Sequence, residues 1–267
     1  MSKFVVIAFP NDARAYQGTR ALKGLHLEGS LTLYGMAVIS KDSEGALVVK
    51  EAAETGPLGA AVGGLVGGLV GVFGGPVGVL AGAAGGGLVG YLIDIINHGI
   101  GSDFIEKVSQ TMLEPGATAI VAEIGETWTT PLDTRMESLG GVVLRTWRAD
   151  FEDDQIAKEI AARRADLEQL RAEYRQATAE TKAKVKAKVD EAKANLEQAE
   201  QRLKIRLDVL QKEANAKIAA LEKQVADAQA DAKEKIRQRI AAARADLDAR
   251  SAKLKQAWAL TQEALAA

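Results

Sequence analysis

The chain has 267 residues, a formal net charge of -2, no cysteine, and only 4% aromatic residues. The lack of cysteine excludes disulfides, thiolate zinc sites and a thiol nucleophile. Residues 151–267 carry 24 basic and 21 acidic side chains, a balance that excludes the single-sign patch of a nucleic-acid binder. With 26 glycines and few aromatic residues, the composition favours close helix packing and long helices over one compact globule.

The first 50 residues predict a β-α-β-β unit. Residues 4–9 form a short apolar run bounded by turn formers, as expected of a buried strand. The run stops at a proline before it reaches the length of a signal peptide, which favours a cytoplasmic start. Asn11 can cap a helix that Gly29 ends. Residues 31–39 and 46–49 are predicted to be strands on either side of a turn.

A glycine-rich insert follows over residues 57–98, and residues 55–93 contain no charged side chain. Glycine recurs at every fourth position in two rows, which places each row on one helix face and lets two helices approach backbone to backbone. The rows are Gly59, Gly63, Gly67 and Gly71, then Gly78, Gly82, Gly86 and Gly90. Each arm would be about 26 Å long, close to the lower limit for a bilayer core of about 30 Å. We expect a glycine-zipper hairpin in lipid; the alternatives are burial in a soluble oligomer or a shallow position in one leaflet.

The segment after the insert alternates helix and strand. Asp103 and Glu106 have capping-box spacing at the start of a helix, and residues 117–124 are predicted to be a strand. Thr130 and the proline after it begin a short helix, and residues 142–147 form the last predicted strand. Residues 1–150 are therefore predicted to be a ferredoxin-like α/β sandwich, within an α+β fold, in which the insert replaces one connection.

Residues 151–267 predict a very long amphipathic helix or coiled-coil segment. Residues 153–267 contain neither glycine nor proline, which favours one continuous helix of about 170 Å, although a helix that folds back stays open. Apolar residues recur every eleven positions, so the apolar stripe runs nearly straight. Its members include Leu196, Leu207, Ile218, Leu221, Val225, Ile236 and Leu247. We expect the stripe to pack between subunits, with lipid contact as the alternative.

No pattern of catalytic or metal-binding residues is present in the sequence. His26 and His98 have no metal-ligand spacing to a second ligand, and the glycines match neither a phosphate loop nor a nucleophile elbow. Asp94 lies in an apolar stretch and is a candidate for ion conduction or gating, although its place at the end of the second arm favours the membrane interface. We therefore predict no enzyme, no cofactor and no small-molecule substrate.

Residues 1–150 resemble a bacterial family of uncharacterised predicted membrane proteins. The family pattern is a strand, a helix, the segment EGxLxLxxxAVIxKDxxG, a Val-rich strand and then a glycine-zipper hairpin. The residues that carry it are Glu28-Gly29-Ser30-Leu31, Ala37-Val38-Ile39, Lys41-Asp42 and Gly45. The resemblance implies membrane association and an α/β domain, and it supplies no catalytic residues.

Together these patterns predict a non-enzymatic, membrane-associated, homo-oligomeric structural or scaffolding protein on the cytoplasmic side of the inner membrane. Its expected partners are other copies of itself and the lipid bilayer. One alternative is a pore or transport accessory formed by a ring of glycine-zipper hairpins. Another is a soluble regulatory module whose sheet binds a small ligand.

Overall fold

The computed structural model describes residues 2–73, 102–112, 114–147 and 151–266. The second arm of the predicted hairpin, with Gly78, Gly82, Gly86 and Gly90, lies outside these residues, as do Asp94 and His98. In chain order the elements are β1 (Lys3–Phe9), α1 (Asp12–Leu27), β2 (Thr32–Lys41), β3 (Leu47–Glu51), α2 (Pro57–Phe73), α3 (Ser102–Thr111), β4 (Thr118–Gly125), α4 (Thr130–Glu137), β5 (Val142–Trp147), α5 (Phe151–Gln176), α6 (Lys182–Asp227) and α7 (Ala230–Ala266).

The predicted α+β fold is confirmed. The five strands form one antiparallel sheet in the order β3-β2-β4-β1-β5. This is the ferredoxin-like arrangement with β3 added at one edge and with the insert between β3 and α3. Successive side chains of a strand point to opposite faces. On β4, Ile120 and Ala122 join the core that includes α1 and α4 residues, whereas Ala119 and Val121 join the core that includes α2 and α3 residues.

Helix α2 packs five valine and leucine side chains into the core that lies between this helix and the sheet. They follow the spacing of one helix face and are Val62, Leu65, Val66, Leu69 and Val70. Gly63, on a different side of α2, is exposed. Among the helices that the structure describes, none combines the length and the apolar character needed to cross a membrane.

The C-terminal region contains a long helix, as predicted, but it is not one continuous helix. Helix α6 has 46 residues, α5 has 26 and α7 has 37, with breaks at 177–181 and 228–229. At the first break Thr181 donates its hydroxyl to the carbonyl of Thr178. Threonine hydroxyls offer the backbone such local alternatives to a helix, so the absence of glycine and proline did not ensure continuity.

The chain divides into two compact units. One contains residues 1–149 and 213–244, and the other contains residues 150–212 and 245–267. We call them the α/β unit and the helical unit. The predicted domains, 1–150 and 151–267, differ from this division in one stretch, because residues 213–244 pack with the α/β unit. Helices α6 and α7 therefore each contribute residues to both units.

Candidate functional site

The first row of predicted zipper glycines does not have one uniform environment. At Gly59 an added Cβ would collide with the carbonyl oxygen of Glu54, so a side chain cannot be accommodated there. At Gly63 an added Cβ would meet nothing within 4 Å among the described residues. Gly67 is half-buried, and Gly71 lies near the end of α2. Helix packing through this row of glycines stays a prediction. Gly63 is the position in the row where an added Cβ meets no described neighbour.

The predicted stripe of the long helices is largely covered by this chain. In the helical unit, Leu196, Leu207 and Leu247 join apolar clusters formed by α5, α6 and α7. In the α/β unit, Leu221, Val225 and Ile236 form a cluster with Tyr34. Ile218 is half-buried. These residues are packing positions, and their role between subunits stays a prediction.

Residues 213–244 contact the turn between α1 and β2. Gly29 follows the end of α1 with φ = +75°, and its amide donates to the carbonyl of His26 at 3.0 Å. Glycine adopts this left-handed conformation readily and commonly ends helices in this way. A Cβ at Gly29 would also lie 2.6 Å from the Cβ of Ala232 on α7. The turn therefore requires glycine both for its conformation and for the close approach of α7.

Gln224 on α6 binds the main chain of this turn. Its amide nitrogen donates to the carbonyls of His26 and Leu31 at 2.6 and 2.8 Å. Its amide oxygen accepts from the Thr32 hydroxyl at 2.7 Å. Gln224 and Thr32 are both buried, so each polar group needs such a partner. One side chain thus gives the His26 carbonyl a second donor beside the Gly29 amide and also binds the carbonyl of Leu31.

Arg239 on α7 binds the same turn from a second helix. Its guanidinium donates to the carbonyls of Gly29 and Ser30 at 3.1 and 3.0 Å, and to the Thr32 hydroxyl at 3.1 Å. Arg239 is buried, and burial lowers the pKa of its guanidinium, while Tyr34 acts in the opposite direction. Thr32 joins the two helices because its hydroxyl contacts both Gln224 and Arg239.

A buried ion pair connects α6 to the central strand β4. The ammonium of Lys217 lies 2.5 Å from the carboxylate of Glu123 and 2.7 Å from that of Glu213. It also donates to the hydroxyl of Ser2 at 3.2 Å and lies 5.3 Å from the centre of the Tyr34 ring. Burial, with a smaller effect of Glu123, raises the pKa of the Tyr34 hydroxyl above its usual value. We refer to Lys217, Gln224, Arg239 and the groups that they contact as the docking network.

The imidazole ring of His26 lies beside the docking network, and its Nδ1 accepts a hydrogen bond from the main chain. The amide of Leu33 donates to its Nδ1 at 3.3 Å, which requires that nitrogen to carry no proton. Burial lowers the pKa of His26, and the positive charges of Arg239 and Lys223 lower it further. The ring therefore favours its neutral form in the folded protein.

The helical unit has a buried network of a different kind. Asp153 on α5 is fully buried and accepts from the Nε atoms of Arg206 on α6 at 2.7 Å and Arg250 on α7 at 2.6 Å. Burial alone would raise the pKa of Asp153, but the two guanidiniums outweigh it and lower the pKa. One carboxylate thus connects all three helices of this unit.

These arrangements bind parts of the chain to one another. Within the described ranges, no three side chains of the types that hold metal ions come together. The sequence did not single out Lys217, Gln224, Arg239 or Asp153. Glu213 and Lys217 have the ordinary spacing of a surface helix pair, so their burial had no signal in the pattern.

No curated protein and no solved structure matches the chain. A family model covers residues 60–161 of the chain. The segment Glu28–Gly45, on which the predicted resemblance mainly depends, lies outside this region. That region includes part of α2, all of α3, β4, α4 and β5, and the beginning of α5. The family model, described as a protein of unknown function (DUF1269), matches residues 60–161, and over that region the chain is similar to an uncharacterised family, as predicted.

Proposed function

We propose that the protein is a non-enzymatic, homo-oligomeric scaffolding protein that associates with membranes. The observation that carries the proposal is the division of α2 into two sides. The side chains of Val62, Leu65, Val66, Leu69 and Val70 are buried in the core against the sheet, while Gly63 is exposed. A helix surface without side chains allows another helix to approach its backbone closely.

The glycine content of α2 supports this proposal energetically. Six of its 17 residues are glycine, and each costs about 1 kcal/mol relative to alanine in a helix interior. Gly59 is explained by the adjacent carbonyl of Glu54, whereas Gly63 has no such neighbour among the described residues. Packing against a helix of another copy would offset the cost of an open glycine at Gly63.

Membrane association is supported by the uncharged segment that begins just before α2. Residues 55–93 contain no acidic or basic side chain, so entry into lipid would carry no cost for burying a charge. Copies that assemble through α2 would bring several such segments together, and several weak lipid contacts on one assembly strengthen each other. A scaffold at the membrane surface follows from these two properties together.

The test compares Gly63→Leu with Gly24→Leu. Both changes put leucine in place of a helical glycine, and an added Cβ at either position meets nothing within 4 Å among the described residues. We expect wild type and Gly24→Leu to form the same oligomer in light scattering after gel filtration, and Gly63→Leu to form a smaller one. We also expect wild type to float with phosphatidylcholine vesicles.

A monomeric wild type would overturn the scaffold proposal, as would a Gly63→Leu oligomer identical to that of Gly24→Leu. Wild-type protein that stays at the bottom of the flotation gradient would overturn membrane association. Circular dichroism of both variants checks that the added leucine has left the fold intact.

A further inference from the structure

The two edges of the described sheet differ in how they are protected from pairing with another strand. Edge strand β3 is short, and its pairing with β2 shifts register between Val38 and Ile39. It also carries Lys50, which lies 3.5 Å from Asp12, and ends at Glu51. Short strands, irregular pairing and charged side chains are the usual means by which proteins block an edge.

Edge strand β5 is one residue longer than β3 and has no shift of register. It pairs with β1 in continuous register, from Trp147 opposite Lys3 to Val142 opposite Ala8. Its one charged residue, Arg145, bonds to Glu126 at 2.8 Å and lies 2.6 Å from Asp133, so its charge is neutralised within the chain.

The ends of β5 expose apolar surface. Val142 is 51% exposed and Trp147 is 59% exposed, and the four residues between them are half-buried. Among the described residues, the backbone of β5 pairs with β1 alone. A row of backbone donors and acceptors on the other side of the strand is therefore available to another strand.

We propose that β5 pairs antiparallel with β5 of a second copy of this chain. The inference rests on the proposed homo-oligomer and names one of its contact surfaces. A twofold axis perpendicular to the sheet, passing between the two Leu144 residues, joins two five-stranded sheets into one continuous sheet. Such an axis exchanges the two strands and keeps each face of the sheet on the same side.

The residues of β5 complement themselves in this register. On one face, Leu144 lies opposite Leu144, and Val142 lies opposite Thr146 of the other copy. Apolar and β-branched pairs of this kind stabilise antiparallel strands. On the other face, Val143 lies opposite Arg145, whose charge is already neutralised by Glu126 and Asp133. No like charges lie directly opposite each other, and the two Arg145 side chains, which are diagonal neighbours, are each paired within their own chain, so a second copy fits this edge.

Charge variants test both the pairing and its register. The double variant V142K/T146K places a lysine opposite a lysine twice in each dimer. We expect it to raise the dissociation constant of this contact by about tenfold or more, because like charges directly opposite each other destabilise paired strands. The double variant V142K/T146E places opposite charges in the same positions, so we expect it to restore association.

The measurement is sedimentation velocity over a range of concentrations, on full-length protein carrying Gly63→Leu to remove the α2 contact. Association unchanged in V142K/T146K would overturn the β5 pairing, and so would an equal loss in V142K/T146E. Loss of assembly caused by Gly63→Leu alone would leave the scaffold proposal standing and overturn this inference. A wild-type monomer would overturn both.

Hydrogen exchange on wild-type protein gives a second measurement that needs no substitution. We expect the amides of β5 to exchange more slowly at high protein concentration than at low concentration, with no such change at β3. Equal exchange of β5 amides at both concentrations would contradict the pairing.

Discussion

The two units use buried polar groups in different ways. In the α/β unit, Gln224 and Arg239 bond mainly to main-chain carbonyls of one turn. In the helical unit, Asp153 bonds to the side chains of Arg206 and Arg250. Main-chain carbonyls keep their hydrogen-bonding capacity at any pH, whereas a carboxylate between guanidiniums depends on its charge. The α/β unit thus adds recognition of main-chain carbonyls to its buried ion pair between Lys217 and Glu123, whereas the three helices of the helical unit meet at one shared carboxylate.

The largest expected effect is the removal of the buried carboxylate of the helical unit. Asp153→Ala leaves Arg206 and Arg250 in a buried region without the negative charge that they share. Breaking a buried ion pair in this way costs about 3–5 kcal/mol, measured as the free energy of unfolding in urea.

The matched control is Asp246→Ala, because Asp246 also lies near Arg250, at 3.5 Å, but is partly exposed. Pairs near the surface contribute about 0–1 kcal/mol, so this control should lose little. If Asp153→Ala lost no more stability than Asp246→Ala, charge would not be what holds the helical unit together.

The next effect is the loss of backbone recognition in the α/β unit. Gln224→Ala removes three hydrogen bonds, and those to Leu31 and Thr32 are buried. Since each unsatisfied buried group costs about 1–3 kcal/mol, we expect a loss of about 2–3 kcal/mol and faster hydrogen exchange over residues 213–244. The exposed Gln229 supplies the control, Gln229→Ala. Equal exchange in the two variants would show that the turn does not depend on Gln224.

The smallest effect is a difference in how the two units respond to acid. The pKa of His26 is lowered from 6.5 in the folded protein, so the unfolded chain takes up a proton first as the pH falls. Stability of the α/β unit should therefore decline as the pH falls below about 6.5 and level off below the folded pKa. The lowered pKa of Asp153, from 3.8, gives the helical unit stability that is lost only in stronger acid.

The variant His26→Gln removes this titration, since an amide side chain does not ionise near neutral pH. Thermal unfolding between pH 7 and pH 5 should then depend less on pH in the variant than in wild type. Equal pH dependence in both proteins would show that His26 does not link the α/β unit to pH.

The sheet could be predicted from the sequence because its signals are local. Residues 4–9, 117–124 and 142–147 are apolar runs between turn formers, and each forms a strand close to the predicted bounds. The glycines at 29 and 45 mark turns, and both adopt positive φ. In each case a few neighbouring residues are enough to predict the strand or the turn.

The docking network could not be predicted because its signals are not local. Gln224 and His26 are 198 residues apart, and a glutamine in a charged helix looks like any solvated residue. The reversal at 228–229 contains no glycine or proline. Two helices joined by a reversal can cover each other's apolar stripes. Leu221 on α6 and Ile236 on α7 therefore lie in one cluster within the chain, which the periodic pattern did not indicate.

The contribution of residues 213–244 to the α/β unit affects how the protein matures during synthesis. A ribosome adds about 5–20 residues per second, so roughly 5–20 s separate residue 149 from residue 244 at those rates. Until Lys217 has been added, Glu123 lacks its ion pair and Tyr34 lacks its contact with the ammonium. Until Arg239 has been added, the carbonyl of Gly29 lacks its bond from the guanidinium. The α/β unit is therefore incomplete until residue 244 has been added, and chaperones have that interval in which to bind it.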